Sequence, residues 1–596
     1  MLMGAMVLIS MISSFWIVGS LLQPSAGPSL PDDIVLFLKL DGGLSEKPAE
    51  ANFAEPFGAG APTVREMVNA IDAATEDPRV HGILARMNSG SFALAHIQEL
   101  RTAIARFRDS GKFAYIYSSS YGEPGSGLGR YYLASSFEEI WMQPMGILTI
   151  GGIHAEMPFF RDTLDKIGVS PQFFQRKEYK SAYENLTRND ASPYNKEMME
   201  ALITDIKDEI VGGISRDRNI KPEQFEKLVD QGLFMADEAK EAGLINYSDY
   251  ADELVGVIKE LLTGDEESED ITFVEARQYA GVLQAKKQEN LLAQKVGKSK
   301  PKIALIYAVG AIMPSGSGGG PGLPGAGGVA AADEIAPAIL DAADDESVKA
   351  VVLRIDSPGG SPTASESILR AVERVQEKGK PVIVSMGPTA ASGGYWIAAY
   401  ADQIFVLPTT ITGSIGVVGG KFYMQDLWAK LGVNWDGVKW GQNSGMWSLN
   451  TPFSETESER VNAMLDQVYN AFITRVAKGR NMSTEDVDKI AKGRVWSGKS
   501  ALEIGLADQL GGLTEALDYA AESAGFEDRS KALVQIMPKP KTPIEQFIEL
   551  FGDQVALGQN MKWQKSLVDF AAPFTHQMNV MQNPDLYSVY EPLVVD

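Results

Sequence analysis

The apolar positions of this chain form short continuous runs that alternate with amphipathic segments. The runs "KAVVLRI" and "PVIVSM", residues 349–355 and 381–386, are rich in β-branched residues and are typical of parallel strands buried on both faces. Between them, apolar residues recur on one face at helical spacing: Ile368, Leu369, Val372 and Val375. Gly379 follows as a helix stop. A strand, a helix and a second strand in this order predict a βαβ unit and therefore an α/β fold.

The chain carries this pattern twice. The segment "GILARMNSGS" aligns with "AVVLRIDSPGGS", and "YYLASSFEEIWMQP" aligns with "YWIAAYADQIFVLP". Matched residues keep a nearly constant separation along the chain: Arg86 with Arg354, Gly111 with Gly379, Pro144 with Pro408, Gly168 with Gly432, and Gly243 with Gly505. Such regularity indicates an internal duplication. We predict two tandem α/β domains, over 33–262 and 301–530, joined by a polar linker at 263–300 and followed by a tail at 531–596.

The N-terminal segment has a different character. No charged residue precedes Asp32, and residues 2–22 are mainly apolar. The length of this stretch is close to the ~20 residues that a helix needs to cross a bilayer. We predict an uncleaved membrane anchor, a transmembrane helix within residues 1–30. A cleaved signal peptide is the alternative, because Ser25-Ala26-Gly27 is small enough for a processing site. No Lys or Arg precedes the segment, so the positive-inside rule does not orient it.

Composition excludes several classes of function. The net charge is −24 and no basic block interrupts the chain, which argues against a nucleic-acid partner. The absence of cysteine excludes disulfides, thiolate metal sites and cysteine nucleophiles. We predict neither a metal nor another cofactor. The Gly-rich stretch 313–334 contains a formal Gly-x-Gly-x-x-Gly, Gly320 to Gly325, but its two prolines argue against a dinucleotide site and favour a mobile loop near a substrate entrance.

A serine within glycines is the first candidate for chemistry. In "TITGSIGVVGG", residues 410–420, Ser414 follows an apolar run and is either a nucleophile or a polar residue of a Gly-rich turn. The four histidines of the chain are His81, His96, His154 and His576. None lies in the second repeat, and no Gly-x-Ser-x-Gly elbow occurs, which argues against a Ser-His-Asp triad. We interpret all four histidines as structural.

A lysine is the alternative base. Lysine deprotonates a serine only where burial lowers its pKa towards neutrality. The segment "FFQRKEYKSAYENL" offers Lys177 and Lys180, of which Lys180 follows Tyr179 and precedes Ser181-Ala182-Tyr183. The pair Ser299 and Lys302 fits a Ser-x-x-Lys pattern, but it lies in the polar linker and is interpreted as accidental.

The turn in "RIDSPGGSP" is the candidate oxyanion hole. Gly359 and Gly360 join a strand to a helix, and glycine lets backbone N–H groups approach a substrate carbonyl closely. The alternative interpretation is an ordinary tight turn.

Four motifs together resemble a known family. "DSPGGS", "ASGGYWIAAYAD", "TITGSIGVVGG" and "YKSA" are similar to motifs of the long, tandem-domain form of the S49 serine peptidases, the signal peptide peptidase A family, whose fold is ClpP/crotonase-like. The resemblance covers about 35–530. It implies a serine endopeptidase with a Ser-Lys dyad, in which Ser414 is the nucleophile and Lys180 the general base. It also implies an oxyanion hole at the Asp-Ser-Pro-Gly-Gly turn, formed by backbone groups of Gly359 and Gly360. From the geometry of such sites we add the N–H of Ile415 as a third donor.

The resemblance carries further expectations about biology. It implies a membrane-anchored enzyme that degrades cleaved signal peptides and other apolar peptides. It also implies a bowl-shaped homotetramer in the bacterial inner membrane, with its catalytic domains in the periplasm. Two alternatives are a crotonase-type acyl-CoA enzyme and a catalytically inactive membrane scaffold on the same fold.

The duplication separates the two members of the implied dyad. At the local separation of the repeats, Ser414 corresponds to Ile150 and Lys180 corresponds to Ser444. The "NSGS" of the first repeat also lacks the Pro-Gly-Gly of the second. We therefore predict that each repeat supplies one half of a single dyad.

Overall fold

The structure is a computed structural model that describes residues 30–48, 60–123, 125–293, 300–316 and 328–539. The predicted anchor, Gly320 to Gly325, His576 and most of the predicted tail lie outside these residues. Within the described ranges, no helix combines the length and the apolar character needed to span a bilayer.

The first repeat is an α/β unit. Its described elements in chain order are β1 (Ile34–Lys39), α1 (Val64–Glu76), β2 (Val80–Arg86), α2 (Leu94–Asp109), β3 (Phe113–Ser118), α3 (Leu128–Ala134), β4 (Glu139–Met142), β5 (Ile147–Thr149), α4 (Arg161–Ile167), β6 (Ser170–Arg176), α5 (Glu184–Thr187), α6 (Pro193–Arg218), α7 (Pro222–Gln231), β7 (Leu233–Met235), α8 (Ala236–Glu241), β8 (Tyr247–Ser248), α9 (Ala251–Thr263), β9 (Thr272–Glu275) and α10 (Ala276–Ala293). The main sheet runs β8-β4-β3-β2-β1-β9, with all neighbours parallel.

The second repeat has the same organisation. Its described elements are β10 (Lys302–Val309), β11 (Ala311–Met313), β12 (Val329–Ala331), α11 (Ala332–Asp344), β13 (Val348–Ser357), α12 (Pro362–Glu377), β14 (Val382–Ala391), α13 (Gly393–Ala398), β15 (Gln403–Val406), β16 (Ile411–Gly413), β17 (Val417–Tyr423), α14 (Gln425–Leu431), α15 (Glu455–Gly479), α16 (Thr484–Ile490), β18 (Val495–Ser497), α17 (Gly498–Glu503), β19 (Gln509–Leu510), α18 (Leu513–Ser523), a 3₁₀ turn (Arg529–Lys531) and β20 (Leu533–Ile536). Its sheet runs β18-β16-β14-β13-β10-β20, and β15 pairs with β14.

The predicted βαβ unit is confirmed at the centre of this second sheet. β13 and β14 are parallel neighbours and are buried along most of their length. The helix between them, α12, begins after Ser361, whose side chain accepts a hydrogen bond from Ala364 N–H, and Pro362 occupies its first turn. The four residues predicted to face the core are buried: Ile368, Leu369, Val372 and Val375.

The predicted linker at 263–300 is wrong for 272–293. β9 adds to the first sheet as a parallel edge strand beside β1, and α10 follows it. Tyr279 of α10 is buried and donates its hydroxyl to Asp77. The start of the predicted tail differs in the same way, because β20 pairs with β10. The segment "DITFVEARQY", residues 270–279, contains several polar residues and therefore resembles a connection in the sequence. An edge strand has a neighbouring strand on one side only, so it can form from a segment as polar as this one.

The two repeats are joined by a shared strand pair and by a buried ion cluster. β6 of the first repeat pairs antiparallel with β17 of the second over seven positions, from Arg176 opposite Val417 to Ser170 opposite Tyr423. Elsewhere, the fully buried Arg354 guanidinium binds the carboxylates of Glu46 and Glu99. Burial opposes ionisation of Glu46, but Arg354 and a hydrogen bond from His96 hold its pKa down at about 2.

Candidate active site

Lys180 lies in a loop that begins directly after β6 and that reaches into the second repeat. The loop places the side-chain nitrogen of Lys180, Nζ, close to three oxygen atoms of that repeat. Nζ is 2.8 Å from Ser414 Oγ, 2.9 Å from Ser414 O and 3.0 Å from Ser392 Oγ. A lysine of one repeat and two serines of the other therefore form one cluster.

A glycine of the second repeat makes this approach sterically possible. A Cβ atom on Gly493 would lie 2.5 Å from both the Cβ and the backbone nitrogen of Lys180, and Gly493 has a φ of +84°. Its N–H donates to Ile415 O, and the neighbouring Lys492 O accepts from Tyr179 N–H. The first hydrogen bond joins Gly493 to the residue after Ser414, and the second joins Lys492 to the residue before Lys180. Main-chain hydrogen bonds therefore hold the segment around Lys180 close to the segment around Ser414.

Burial changes the chemistry of this lysine. Lys180 is 5% exposed, and this burial lowers the pKa of its ammonium group to about 7. The other candidate, Lys177, is 41% exposed and forms an ion pair with Asp488 at 2.8 Å. Only Lys180 is placed among serine hydroxyls, so it is the lysine of this segment that can hold and release a proton near neutral pH.

Sheet pairing accounts for the two serines at one lysine. β14 and β16 are parallel neighbours with Ala391 opposite Gly413. The next residue on each strand is a serine, so Ser392 and Ser414 leave the sheet side by side. Ser392 N–H donates to Gly413 O at 2.9 Å, and this hydrogen bond holds the ends of the two strands next to each other.

Ser392 occupies a strained turn. It separates the last residue of β14 from the first residue of α13, and its φ of 55° and ψ of −118° are rare for a residue with a side chain. A serine held on a sharp strand-to-helix turn of this kind presents its hydroxyl outside the sheet. The sequence analysis did not identify this residue as a nucleophile candidate. The available signal was the apolar run before "ASGGYW", which places Ser392 at the strand–helix junction.

Ser414 is held differently. It also has a positive φ, 51°, and its N–H donates to Arg494 O at 2.7 Å. Both its hydroxyl and its carbonyl oxygen contact Lys180. A carbonyl can only accept, so at least one N–H of Lys180 points at Ser414.

The predicted glycine turn lies against Ser392. A Cβ on Gly359 would lie 2.5 Å from Gly393 N and 2.8 Å from Ser392 Cβ, which explains why glycine is needed there. Gly359 N–H itself donates to Ser357 Oγ at 3.1 Å. By contrast, the N–H groups of Gly360 and Gly393 have no hydrogen-bond acceptor within the described part of the chain. These two N–H groups therefore remain available beside Ser392.

The third predicted oxyanion residue, Ile415, is on the Ser414 side. Its side chain is fully buried, and its carbonyl accepts from Gly493 N–H. Its own N–H has no acceptor in the described ranges.

Comparison with known proteins identifies the chain's family. The model of peptidase family S49 matches residues 106–264 and 374–527, one region in each repeat. The chain belongs to peptidase family S49. It is 33% identical to Protease 4 of Haemophilus influenzae over 508 residues, which cover 83% of this chain and 80% of that protein. It is 31% identical to the chloroplastic serine protease SPPA of Arabidopsis thaliana over 522 residues, covering 87% and 74%. This S49 peptidase is thus a serine endopeptidase of the tandem-domain type.

The first repeat of this S49 peptidase lacks the corresponding groups. Ile150, which is buried, stands at the position of Ser414, and Leu128 stands at the position of Ser392. Ser444, at the position of Lys180, is exposed. The first repeat has no equivalent cluster at these positions.

The histidines of the S49 peptidase that the structure describes lie elsewhere. His96 binds Glu46 at 2.7 Å in the buried ion cluster, and His81 pairs with Asp33 at 2.8 Å. His154 pairs with Glu156 at the surface. Their described contacts are with carboxylates and not with the serine–lysine cluster.

Proposed function

We propose that this S49 peptidase cleaves peptides with Lys180 as general base and Ser392 as nucleophile, in place of the sequence assignment of Ser414. The observation that carries the proposal is the position of Ser392. Its hydroxyl is 3.0 Å from Lys180 Nζ, on a strained strand-to-helix turn that borders the free N–H groups of Gly360 and Gly393.

The hydrogen-bonding capacity of a neutral lysine supports this division of roles. A neutral amine has two N–H donors and one lone pair. If the donors are directed to the carbonyl and the hydroxyl of Ser414, the lone pair is left for the hydroxyl proton of Ser392. Ser414 then orients the base, and Ser392 is activated by it.

The reaction follows from these positions. The neutral Lys180 amine takes the proton of Ser392 as Oγ attacks the scissile carbonyl carbon. The oxyanion that forms accepts hydrogen bonds from Gly360 N–H and Gly393 N–H. The protonated Lys180 gives its proton to the departing amine, which leaves an acyl-enzyme. Lys180 next deprotonates a water that attacks the ester carbonyl, and Ser392 recovers its proton as the ester bond breaks.

The substrate class rests on the family and on the sequence. Extended apolar peptides, and cleaved signal peptides in particular, suit an enzyme anchored in the membrane by an apolar N-terminal segment. We therefore include in the proposal the N-terminal anchor, a bacterial inner-membrane location with periplasmic catalytic domains, and a homotetrameric assembly.

The test is the peptidase activity of the full-length protein on apolar peptides. Ser392→Ala and Lys180→Ala should each abolish turnover, while Ser414→Ala should retain a reduced rate. Lys177→Ala is the matched control, because it removes a lysine three residues away that is exposed and salt-bridged. Full activity of Ser392→Ala together with complete loss in Ser414→Ala would restore Ser414 as the nucleophile.

A further inference from the structure

The strand that leads into the glycine turn ends at a fully buried serine. Ser357 is the last residue of β13 and lies opposite Ala390 of β14. Its hydroxyl donates to Gly310 O at 2.6 Å and accepts from Gly359 N–H at 3.1 Å. A serine hydroxyl has one proton and two lone pairs, so it makes both contacts at once. The Ser357 side chain therefore links the end of β10 to the glycine turn.

A second hydrogen bond holds the other side of Gly359. Ile312 N–H, in β11, donates to Gly359 O at 2.9 Å. In a planar trans peptide the C=O and the N–H point in opposite directions. Because Gly359 O faces β11, the N–H of Gly360 points away from β11. The nitrogen of Gly360 lies close to Gly393, where an added Cβ would be 3.0 Å from it.

The turn needs such anchors to keep one orientation. Gly359 and Gly360 have φ angles of 100° and 158°, and glycine reaches other backbone conformations at little steric cost. Ser357 also supports the neighbouring helix, because a Cβ on Gly394 would lie 2.7 Å from Ser357 O. Ser357 thus contacts both the glycine turn and the start of α13, the two segments that carry the N–H groups of the oxyanion hole.

We propose that Ser357 is a positioning residue for the oxyanion hole: its hydroxyl holds Gly359 so that the N–H of Gly360 faces the oxyanion. The inference rests on the proposed function, because it takes Gly360 and Gly393 as the donors. Ser357 acts through the turn and does not touch the substrate, since its side chain is fully buried and both of its hydrogen bonds go to main chain.

The first repeat offers a matched comparison. Ser89 corresponds to Ser357 at the shift of 268, and its hydroxyl donates to Asp41 O at 2.7 Å. Ser91 stands at the position of Gly359, so the Gly-Gly pair is absent from this copy. The first repeat therefore keeps a hydrogen bond from the serine to a backbone carbonyl but has no oxyanion turn for it to orient.

The test is the steady-state kinetics of full-length Ser357→Ala on an apolar peptide. Removal of one oxyanion donor lowers kcat by about 10²–10³-fold. A donor that is displaced but not removed costs less, so kcat should fall about 10- to 100-fold. KM should change by less than about threefold, because the ground-state amide depends less on this donor than the oxyanion does. Ser357→Thr keeps the hydroxyl and should recover most of the rate.

Two measurements separate this role from a general structural one. A peptide aldehyde adds to a serine hydroxyl as a hemiacetal whose oxygen occupies the oxyanion hole. Its affinity for Ser357→Ala should therefore fall by the same factor as kcat/KM. The midpoint of the pH–rate profile should stay at its value in the unmodified protein, because neither hydrogen bond of Ser357 involves Lys180.

Ser89→Ala is the matched control and should leave both kcat and aldehyde affinity unchanged. An undiminished kcat in Ser357→Ala would overturn the inference, and so would a lower kcat with constant aldehyde affinity. A loss that only reflects a smaller fraction of protein labelled by a phosphonate at completion would show misfolding and would also overturn it. Ser392→Ala tests the proposed function separately: if it is inactive while Ser357→Ala keeps its full kcat, only the role of Ser357 fails.

Discussion

The pKa of Lys180 leads to a quantitative prediction for the pH dependence of the active-site serine. A lysine of ordinary pKa, 10.5, is neutral in only about one molecule in 3,000 at pH 7, whereas the buried Lys180, with a pKa of about 7, is neutral in about half. Burial therefore raises the population of the working base about a thousandfold. At about 1.36 kcal/mol for each pKa unit, burial shifts the free energy of protonating this amine by roughly 5 kcal/mol in favour of the neutral form.

The assay is the rate of inactivation by a serine-directed phosphonate between pH 5 and pH 9, at constant ionic strength. Only the neutral amine accepts a proton, so the rate should rise with pH, reach half its plateau near pH 7, and fall about tenfold for each pH unit below that. At pH 5 we expect about 1% of the plateau rate. Lys177→Ala should give the same curve, because its exposed ion pair does not contact the serines.

A flat profile from pH 5 to pH 9 would refute a lysine base. A midpoint above pH 9 would retain lysine but refute the argument from burial. The same shift has a consequence for stability, because a folded-state pKa below the unfolded value makes the protein bind fewer protons than the unfolded chain between about pH 7 and pH 10.5. The contribution of Lys180 to stability should therefore increase with pH across that window.

Three further predictions concern groups around the site. Ser414→Ala should lower kcat/KM by about 10- to 100-fold and change the kinetic pKa, since it removes one hydrogen bond to the base, and an unchanged pH profile would contradict the orienting role. Gly493→Ala should abolish phosphonate labelling, because its Cβ would overlap Lys180, and a normal labelling rate would show that the loop tolerates displacement. Arg354→Met should destabilise the protein by about 3–5 kcal/mol, because the buried carboxylates of Glu46 and Glu99 lose the guanidinium that they share. Chemical denaturation measures this loss, and a value below about 1 kcal/mol would contradict the importance of the buried ion cluster.

The sequence was most informative where periodicity carries the signal. The βαβ unit around α12 and the duplication follow from apolar spacing and from matched glycines, both of which are local properties of the chain. The predicted linker was wrong because an edge strand such as β9 buries little surface and therefore has a weak pattern.

The choice between two serines depends on tertiary geometry. Ser392 and Ser414 are 22 positions apart and each follows an apolar run, but the sequence analysis singled out only Ser414. Their convergence on Lys180 depends on β14 and β16 being neighbours with Ala391 opposite Gly413, which no local pattern encodes. The strained dihedral angles of Ser392 become visible only in the folded chain.

The measurement that tests the central claim most directly is the site of phosphonate attachment, determined by peptide mass spectrometry on the full-length protein. The account predicts an adduct on Ser392 in the unmodified protein and in Ser414→Ala, no adduct in Ser392→Ala, and strongly slowed attachment in Lys180→Ala. An adduct on Ser414 of the unmodified protein, or attachment at an undiminished rate in Lys180→Ala, would contradict the proposed pairing of a nucleophile from the second repeat with a base from the first.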